Sequence, residues 1–372
     1  MIIAVNTRFS GDGQQEEYEN FMFECLSRIT NKYPQHQFIY IFNKPFDNHL
    51  IFAKNVTAIL AGPETKNTLL FQYWLNYKIP ALLRKYKADV FISVDGVCSL
   101  RTKTPQCLII DDLSFLWHSH FLKKHLARFY KKFTPKFLAK AKSIVTLSEF
   151  SKSVIVDRYK IPADKVDVLH TAIDEIFKPI DQSEKEMIKK DYTEGKEYFL
   201  FSGNINHQNN LINLLKAFSF FKKRQKSNMF LLIAGKSEET FSNELKSYKF
   251  RNEVKVLDNL STKELAKITA AAYALVYPVL YKDYAIAPLQ AMQCNIPVVS
   301  SNTGALPSIC GEAALYVNPE DFKDIAEKMM LVFKDENKVK ELVSAGKIQI
   351  QQYQYKKTSD LLWQSILKAI NK

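Results

Sequence analysis

Glycine is scarce in this chain, with 10 residues in 372. Average usage of about 7% would give roughly 26. Loops that hold phosphate groups use glycine where backbone N–H groups must come close to the ligand. The low count therefore argues against several intact phosphate-binding loops.

Cysteine is also sparse, and its spacing excludes two classes of site. The five cysteines are odd in number and scattered, which favours small buried residues in a reducing compartment over a disulfide framework. The seven histidines do not pair with acids or cysteines at ligand spacing, so we expect no metal site and no other cofactor. The cysteines are Cys25, Cys98, Cys107, Cys294 and Cys310.

Long apolar runs are missing as well. No run reaches the roughly 20 residues that span a bilayer. The chain opens on MIIAVNTRF, a short strand pattern followed by polar sequence rather than a signal peptide. We therefore expect a cytoplasmic protein, either soluble or peripheral on the inner face of the membrane.

Positive charge is in excess: the net charge is +13, which favours an anionic partner. Much of the excess lies in Lys123–Lys142, whose spacing predicts a helix with one basic and one apolar side, kinked or divided at Pro135. Three interpretations stay open: a core-packed helix with solvated lysines, contact with a membrane surface, or nucleic-acid binding. Nucleic-acid binding is the least favoured of the three, because no recognised nucleic-acid module accompanies the charge, and no nucleic-acid partner is expected.

Short β-rich runs alternate with helical stretches from end to end. Continuous apolar strands between amphipathic helices indicate parallel sheets covered on both faces. With the chain length, this predicts an α/β protein of two doubly wound, Rossmann-like domains, 1–178 and 179–355, facing a cleft. The predicted strands are Ile2–Val5, Phe38–Ile41, Val56–Leu60, Val90–Val94, Cys107–Ile110, Ile144–Leu147, Tyr198–Phe201, Met229–Ala234, Val254–Leu257, Ala274–Tyr277 and Pro297–Ser300.

One segment, PVLYKDYAIAPLQAMQCNIPVVSS (278–301), resembles the nucleotide-sugar signature of the retaining, family 4 type glycosyltransferases of bacterial surface-polysaccharide assembly. SEFSK (148–152), with Ser148 as the expected N-cap of a helix, matches the same family. The resemblance covers nearly the whole chain. It implies the GT-B fold, with an N-terminal acceptor-type domain, a C-terminal nucleotide-sugar domain, and a last helix, 356–370, that returns to the first domain.

The resemblance also implies where donor binding and catalysis would lie, and these positions are substituted. Lys282 and Gln290 replace two glutamates, Asp111 replaces a histidine, and Gln208 and Asn209 replace two cations that hold the diphosphate. Each charged hydrogen bond contributes about 1.5–3 kcal/mol, so losing two weakens diphosphate binding by about 3–6 kcal/mol. The implied catalytic positions are Asp111 and Lys282. The implied donor-binding positions are Gly203, His207, Gln208, Asn209, Ala285, Ile286 and Gln290.

Three functions remain open on these residues. The first is a non-catalytic protein of polysaccharide or lipopolysaccharide assembly that works as the partner of an active glycosyltransferase. The second is an active retaining hexosyltransferase with a rearranged site, which moves a sugar from a nucleotide-diphosphate donor to a glycan or lipid-linked acceptor. There Lys282 or His207 would neutralise phosphate, and Asp111 or Asp112 would act as a base. The third is a basic module that reuses the fold to bind a membrane or nucleic acid, with an affinity that falls steeply with salt.

Overall fold

The computed structural model describes residues 1–8, 16–46, 51, 53–65, 67–236, 241 and 245–371. The chain forms two compact units. The first unit comprises Met1–Ala172 with Gln354–Lys372, and the second unit comprises Ile173–Tyr353.

The first unit is built on seven strands. Their bounds are β1 Ile2–Asn6, β2 Gln37–Phe42, β3 Val56–Leu60, β4 Val90–Ser93, β5 Gln106–Ile110, β6 Ser143–Thr146 and β7 Val166–Val168. The strands lie in the order β3-β2-β1-β4-β5-β6-β7, and every pair is parallel. Strands β4, β5 and β6 are buried along their full length, as expected for a sheet covered on both faces.

Helices connect these strands. Their bounds are α1 Glu16–Lys32, α2 Thr68–Tyr73, α3 Ile79–Lys85, α4 Lys124–Lys140 and α5 Glu149–Tyr159. A π-helical segment, Trp74–Lys78, joins α2 to α3. The predicted N-cap of α5 is confirmed, because the Ser148 hydroxyl accepts the Ser151 N–H at 3.2 Å.

Helix α4 corrects one expectation. It runs undivided from Lys124 to Lys140 with Pro135 inside it, so of the two outcomes expected at the proline, a kink or a division, the division is wrong. Proline removes a single backbone hydrogen bond. The buried rings of Phe129 and Phe137 pack on either side of that point and hold both halves of the helix against the sheet.

The second unit repeats the same plan on six parallel strands. Its elements are α6 Gln182–Thr193, β8 Tyr198–Ser202, α7 Leu211–Gln225, β9 Phe230–Ala234, β10 Val254–Leu257, α8 Thr262–Ala271, β11 Ala274–Tyr277, α9 Ala287–Gln293, β12 Val298–Ser301, α10 Leu306–Cys310, β13 Ala314–Val317, α11 Phe322–Lys334 and α12 Glu336–Gln349. The strand order is β10-β9-β8-β11-β12-β13.

The last helix, α13 (Tyr355–Asn371), belongs to the first unit. Its Lys368 Nζ and Ser365 Oγ both donate to the Asp167 carboxylate, at 2.6 and 2.8 Å. The Trp363 ring stacks on Tyr33, with the ring centroids 4.1 Å apart. These contacts fix the helix beside the seven-stranded sheet.

All eleven predicted strands are present, within one or two residues of their expected bounds. Two further strands, β7 and β13, were not predicted; they have three and four residues and lie at the edges of their sheets. The five cysteines are free and buried, as predicted. Within the described part of the chain, no helix combines the length and the apolar content that a bilayer crossing requires.

Candidate functional site

Each sheet has one point where the strand order reverses, and these two points locate the candidate sites. The reversal falls between β1 and β4 in the first unit and between β8 and β11 in the second. In doubly wound sheets, ligands bind outside the carboxyl ends of the strands at such a point. The relevant loops are therefore those that follow β1, β4 and β5 in one unit, and β8 and β11 in the other.

In the second unit, the loop after β8 packs tightly on the loop after β9. A Cβ on Gly235 would lie 2.1 Å from the Gly203 carbonyl oxygen, and the φ of Gly235 is +159°. The Gly203 N–H donates to the Ala234 carbonyl at 2.9 Å. Only glycine at position 235 allows the two backbones to come this close. Gly203 and Gly235 therefore serve the packing of these two loops.

The loop after β8 is also joined to the loop after β11. The Leu280 N–H donates to the Gln208 carbonyl at 2.9 Å, and the Asn210 amide donates to the Pro278 carbonyl at 2.8 Å. The structure thus brings His207 and Gln208 beside the segment that contains Lys282.

Asn209, one of the two positions where the family resemblance implies a cation, points into the protein. Its side chain is 1% exposed, and its amide donates to the Asn204 carbonyl. Its backbone N–H is held by the Asn206 side chain at 3.1 Å. His207 is exposed and Gln208 is half-buried. Of these three candidates, Asn209 therefore has a structural role, whereas the other two reach the surface.

The segment after β11 is fixed by backbone contacts. The Lys282 carbonyl accepts the Ala305 N–H at 2.9 Å, and a Cβ on Gly304, whose φ is +58°, would meet that carbonyl at 2.5 Å. Asp283 is 4% exposed and accepts a hydrogen bond from the Tyr281 hydroxyl at 3.0 Å. The loop therefore contains a buried carboxyl group beside Lys282.

The remaining candidates of the second unit lie where this segment becomes a helix. Ala285 and Ile286 are buried, and α9 begins at Ala287. Gln290, on α9, is half-buried. Gly203 lies in the neighbouring loop, so all the implied donor-binding positions gather at one edge of this sheet.

Asp111, the remaining candidate, lies in the first unit, at the end of β5. There it lines a cavity of about 100 Å³ at the carboxyl ends of the strands. The lining residues are Arg8, Tyr18, Asp95, Gly96, Ile110, Asp111, Asp112, Leu113, Phe115, Leu122, Tyr130 and Thr134.

Among the described residues, Arg8 supplies the single guanidinium of this cavity, and it is paired with Asp95. Arg8 Nη2 lies 3.1 Å from Asp95 Oδ2, and its guanidinium stacks 4.1 Å from the centre of the Phe71 ring. The Asn6 amide donates to Asp95 Oδ1 at 2.8 Å. Burial raises the pKa of Asp95, and Arg8 and these hydrogen bonds oppose the shift. The pair is a rigid wall of the cavity.

Asp111 contributes a carboxyl group with a strongly raised pKa to this cavity. Its side chain is 8% exposed, and burial, followed by the charge of Asp112, raises its pKa to about 8. Asp112 itself accepts the Ser114 N–H and hydroxyl at 2.6 and 2.9 Å. A carboxyl group with a pKa near neutrality can both donate and accept a proton, which is the requirement for acid–base work.

Sequence reasoning predicted only Asp111 and Asp112 among the lining residues and missed, among others, Arg8, Tyr130 and Thr134. Arg8 could have been found, because it follows β1 and the carboxyl ends of β1 and β4 meet at the switch point. Tyr130 and Thr134 could not, since they lie on α4 and reach the cavity only through the packing of that helix.

Helix α4 presents a basic face. Its apolar side, with Phe129 and Phe137, is buried, and Trp117 just before it is 45% exposed. All eight basic side chains of the region are exposed: Lys123, Lys124, Arg128, Lys131, Lys132, Lys136, Lys140 and Lys142. Among the described residues, no group of three or more His, Cys, Asp or Glu is placed to hold a metal ion.

Two doubly wound units with polar loops at both switch points define a GT-B type glycosyltransferase fold. A model for "Glycosyl transferases group 1" matches residues 182–349, and one for "Glycosyltransferase Family 4" matches residues 36–176. The two ranges together span most of the chain, which belongs to the family 4 glycosyltransferases.

Among curated proteins, the chain is 25% identical over 248 residues to O-antigen chain mannosyltransferase B of Escherichia coli; the match covers 66% of this chain and 65% of that protein, just under two thirds of its length. It is also 25% identical to O-antigen chain mannosyltransferase RfbU of Salmonella typhimurium, over 68% of this chain and 67% of that protein. Among solved structures, HepE from Anabaena, in complex with UDP and glucose, superposes with a TM-score of 0.75 at 13% identity, covering 99% of each chain.

Proposed function

We propose that the chain is a glycosyltransferase-family protein of surface-polysaccharide assembly whose nucleotide-sugar site no longer supports transfer, and that it works as the partner of an active glycosyltransferase. A role in surface-polysaccharide assembly is supported by the two similar proteins, both named as O-antigen mannosyltransferases. Mannose is accordingly the first sugar to test.

The observation that carries the loss of transfer is the state of the loop after β8. A nucleotide-diphosphate leaving group gains negative charge as its bond to the sugar breaks, and it needs cations or oriented donors. Gln208 is uncharged, and the amide of Asn209 is used inside the protein. The loop thus lacks the two cations that the family resemblance implies at positions 208 and 209. Their absence weakens the free energy of diphosphate binding by about 3–6 kcal/mol. The buried Asp283 adds a carboxyl group to the neighbouring loop.

The test is a measurement of nucleotide binding and turnover on the full chain. Thermal unfolding with millimolar uridine, guanosine and adenosine diphosphates, and with their sugars, should show no shift. A ligand at 100 times its Kd would stabilise by about 2.7 kcal/mol. Release of nucleoside diphosphate from a mannosyl donor should equal the rate without protein. A selective shift with one nucleotide, followed by turnover of its sugar, would refute the proposal.

One observation favours a second candidate, an active hexosyltransferase with a rearranged site. Asp111 carries a pKa of about 8 in a cavity at a switch point, as an acid–base residue would. His207 and Lys282 could supply positive charge to a nucleotide-diphosphate sugar, and a glycan or lipid-linked molecule would be the acceptor. In this case Lys282→Ala would lower turnover, and Asp111→Asn would remove the pH dependence of kcat.

We further propose that the protein is cytoplasmic and binds the inner face of the membrane through Lys123–Lys142. The support is the unbroken basic face of α4 over a buried apolar side. Each basic residue near an anionic surface contributes about 1 kcal/mol.

Sedimentation with phosphatidylglycerol-rich vesicles should therefore fail for the triple variant Lys131→Glu, Lys132→Glu, Lys136→Glu. It should persist for Lys223→Glu, Lys263→Glu, Lys340→Glu, which removes the same charge from the second unit. Equal binding by both variants would refute this assignment.

A further inference from the structure

A groove lies on the surface of the second unit, where one side of α7 meets residues 247–249 and Phe322 at the start of α11. We call it the α7 groove. Its volume is about 510 Å³, which falls within the range of about 300–1,000 Å³ that ligand-binding sites have. Among the residues that the structure describes, none of the implied donor-binding positions lines it. It is therefore separate from the candidate donor site.

Helix α7 contributes a continuous stripe to this groove. Residues spaced three and four apart lie on the same side of an α-helix. The stripe consists of Ile212, Leu215, Lys216, Ser219, Phe220 and Lys223. Its length is about 16 Å, or three helical turns. The opposite side of α7, with Leu214, Phe218 and Phe221, is buried in the core, so the stripe is the side of the helix that faces outward.

The walls of the groove are held in place by contacts within the unit. The Tyr248 hydroxyl donates to the Leu215 carbonyl at 2.7 Å and accepts a hydrogen bond from the Ser219 hydroxyl at 2.8 Å. The Phe322 ring packs edge-on against Phe220, with the ring centroids 6.4 Å apart. Because these walls are already ordered, an occupant would not have to order them on binding.

The groove combines an apolar floor with a basic rim. The Ile212 side chain is 39% exposed, and the two phenylalanine rings are half-buried. Lys216, Lys223 and Lys249 are all exposed, and no aspartate or glutamate lines the groove within the described part of the chain. An occupant complementary to both parts carries apolar side chains together with carboxylates.

The shape of the groove favours a helix as the occupant. None of the described lining residues belongs to a strand, so the groove offers no sheet edge to which an extended peptide could add. Amphipathic helices bind grooves of this kind through apolar anchors at i, i+3 or i+4, and i+7. Such a set of anchors is about 10 Å long and fits within the stripe of α7.

We propose that the α7 groove binds an acidic, amphipathic helix of a partner protein. The apolar anchors of that helix pack on Ile212, Phe220 and Phe322, and its flanking aspartates and glutamates pair with the three lysines of the rim. The inference goes beyond the proposed function, because it requires neither a loss of transfer nor nucleotide binding. An active glycosyltransferase would bind the same helix.

The experiment selects peptides on the full chain from a phage-displayed library of helix-stabilised peptides about five turns long, roughly 18 residues. Clones that also bind the Ile212→Asp variant are removed, because this change places a carboxylate in the apolar floor. We expect the remaining clones to carry apolar residues at i, i+4 and i+7 with aspartate or glutamate beside them.

The affinity of these peptides should fall at least about tenfold in the triple variant Lys216→Glu, Lys223→Glu, Lys249→Glu. Each exposed ion pair contributes little by itself, but three pairs change together from attraction to repulsion. Binding to the unaltered protein should also weaken as salt rises.

Two matched controls test whether the effect belongs to the groove. Ile348→Asp makes the same apolar-to-acidic change at a residue of α12 that is 72% exposed and does not line the groove. The triple variant Lys263→Glu, Lys340→Glu, Lys347→Glu reverses the same charge at other exposed positions of the second unit. Both controls should bind the selected peptides as the unaltered protein does.

Three results would overturn the inference: no clone that depends on Ile212, selected clones without acidic residues, or an equal loss of binding in the control variants. If no peptide is selected and the triple variant of the rim loses binding to phosphatidylglycerol-rich vesicles, the groove contacts lipid instead. Nucleotide turnover tests the proposed function alone, so the two can fail separately.

Discussion

If the loop after β8 lacks diphosphate-binding charge, as the proposed function holds, adding one cation there should increase nucleoside-diphosphate binding measurably. Gln208→Arg is the appropriate change because the hydrogen bond that joins this residue to Leu280 uses its backbone carbonyl, which the substitution leaves in place. The side chain is half-buried and reaches the surface. A charged hydrogen bond contributes about 1.5–3 kcal/mol. Partial solvent screening reduces this toward the lower figure, which corresponds to about a tenfold gain in affinity.

The assay is titration calorimetry with guanosine and uridine diphosphates at low and at high salt. Gln225→Arg is the control, because it adds the same charge at the far end of α7, roughly 20 Å along the helix. The gain should be specific to Gln208→Arg and should shrink as salt rises. No gain, or an equal gain in both variants, would refute the reasoning that the missing cation limits binding.

Three further predictions concern stability. Asp167→Ala removes the carboxylate that holds Ser365 and Lys368, so the free energy of unfolding should fall by about 1–3 kcal/mol in urea, and an unchanged midpoint would contradict this role of α13. Gly235→Ala places a Cβ 2.1 Å from the Gly203 carbonyl and should cost more than about 2 kcal/mol, whereas Gly62→Ala, with no atom within 4 Å of its Cβ, should cost little. Because the pKa of Asp111 is raised to about 8 in the folded state, this state binds more protons than the unfolded state between about pH 4 and 8. The free energy of unfolding should therefore fall as pH rises through that window and level off above it. Asp111→Asn should reduce that slope in pH-dependent urea melts, and an unchanged slope would show that Asp111 does not titrate as described.

The sequence predicts the sheets well because strands buried in a parallel sheet are continuous apolar runs. YFLFS and FLLIA are such runs, and both form fully buried strands. The two missed strands are edge strands: β7 reads VDV, and a three-residue run with a central aspartate carries no periodic signal. Of the kink or division expected at Pro135, the division does not occur, because the packing of Phe129 and Phe137 outweighs one lost backbone hydrogen bond.

The candidate site was predictable only in part. The family resemblance located the loops that contain Gln208 and Lys282, because these follow strands in the chain. It could not show that Asn209 points inward, since that depends on the backbone of Asn204. Nor could it show that Arg8 and Asp95 meet, because 87 residues separate them in the chain and only the parallel pairing of β1 with β4 brings them together.

Positions 208 and 209 differ in how easily a cation can be placed there, because the amide of Asn209 is buried and bonded inside the protein. A cation can be placed at position 208 in a single substitution, because that side chain reaches the surface. At position 209 a lysine would remove the buried amide that donates to the Asn204 carbonyl, and its charge would have to reach the surface. It would therefore improve diphosphate binding only after neighbouring residues also change. Under the proposed function, a return to transfer activity would therefore begin at position 208, and the buried Asn209 would oppose a second change in the same loop.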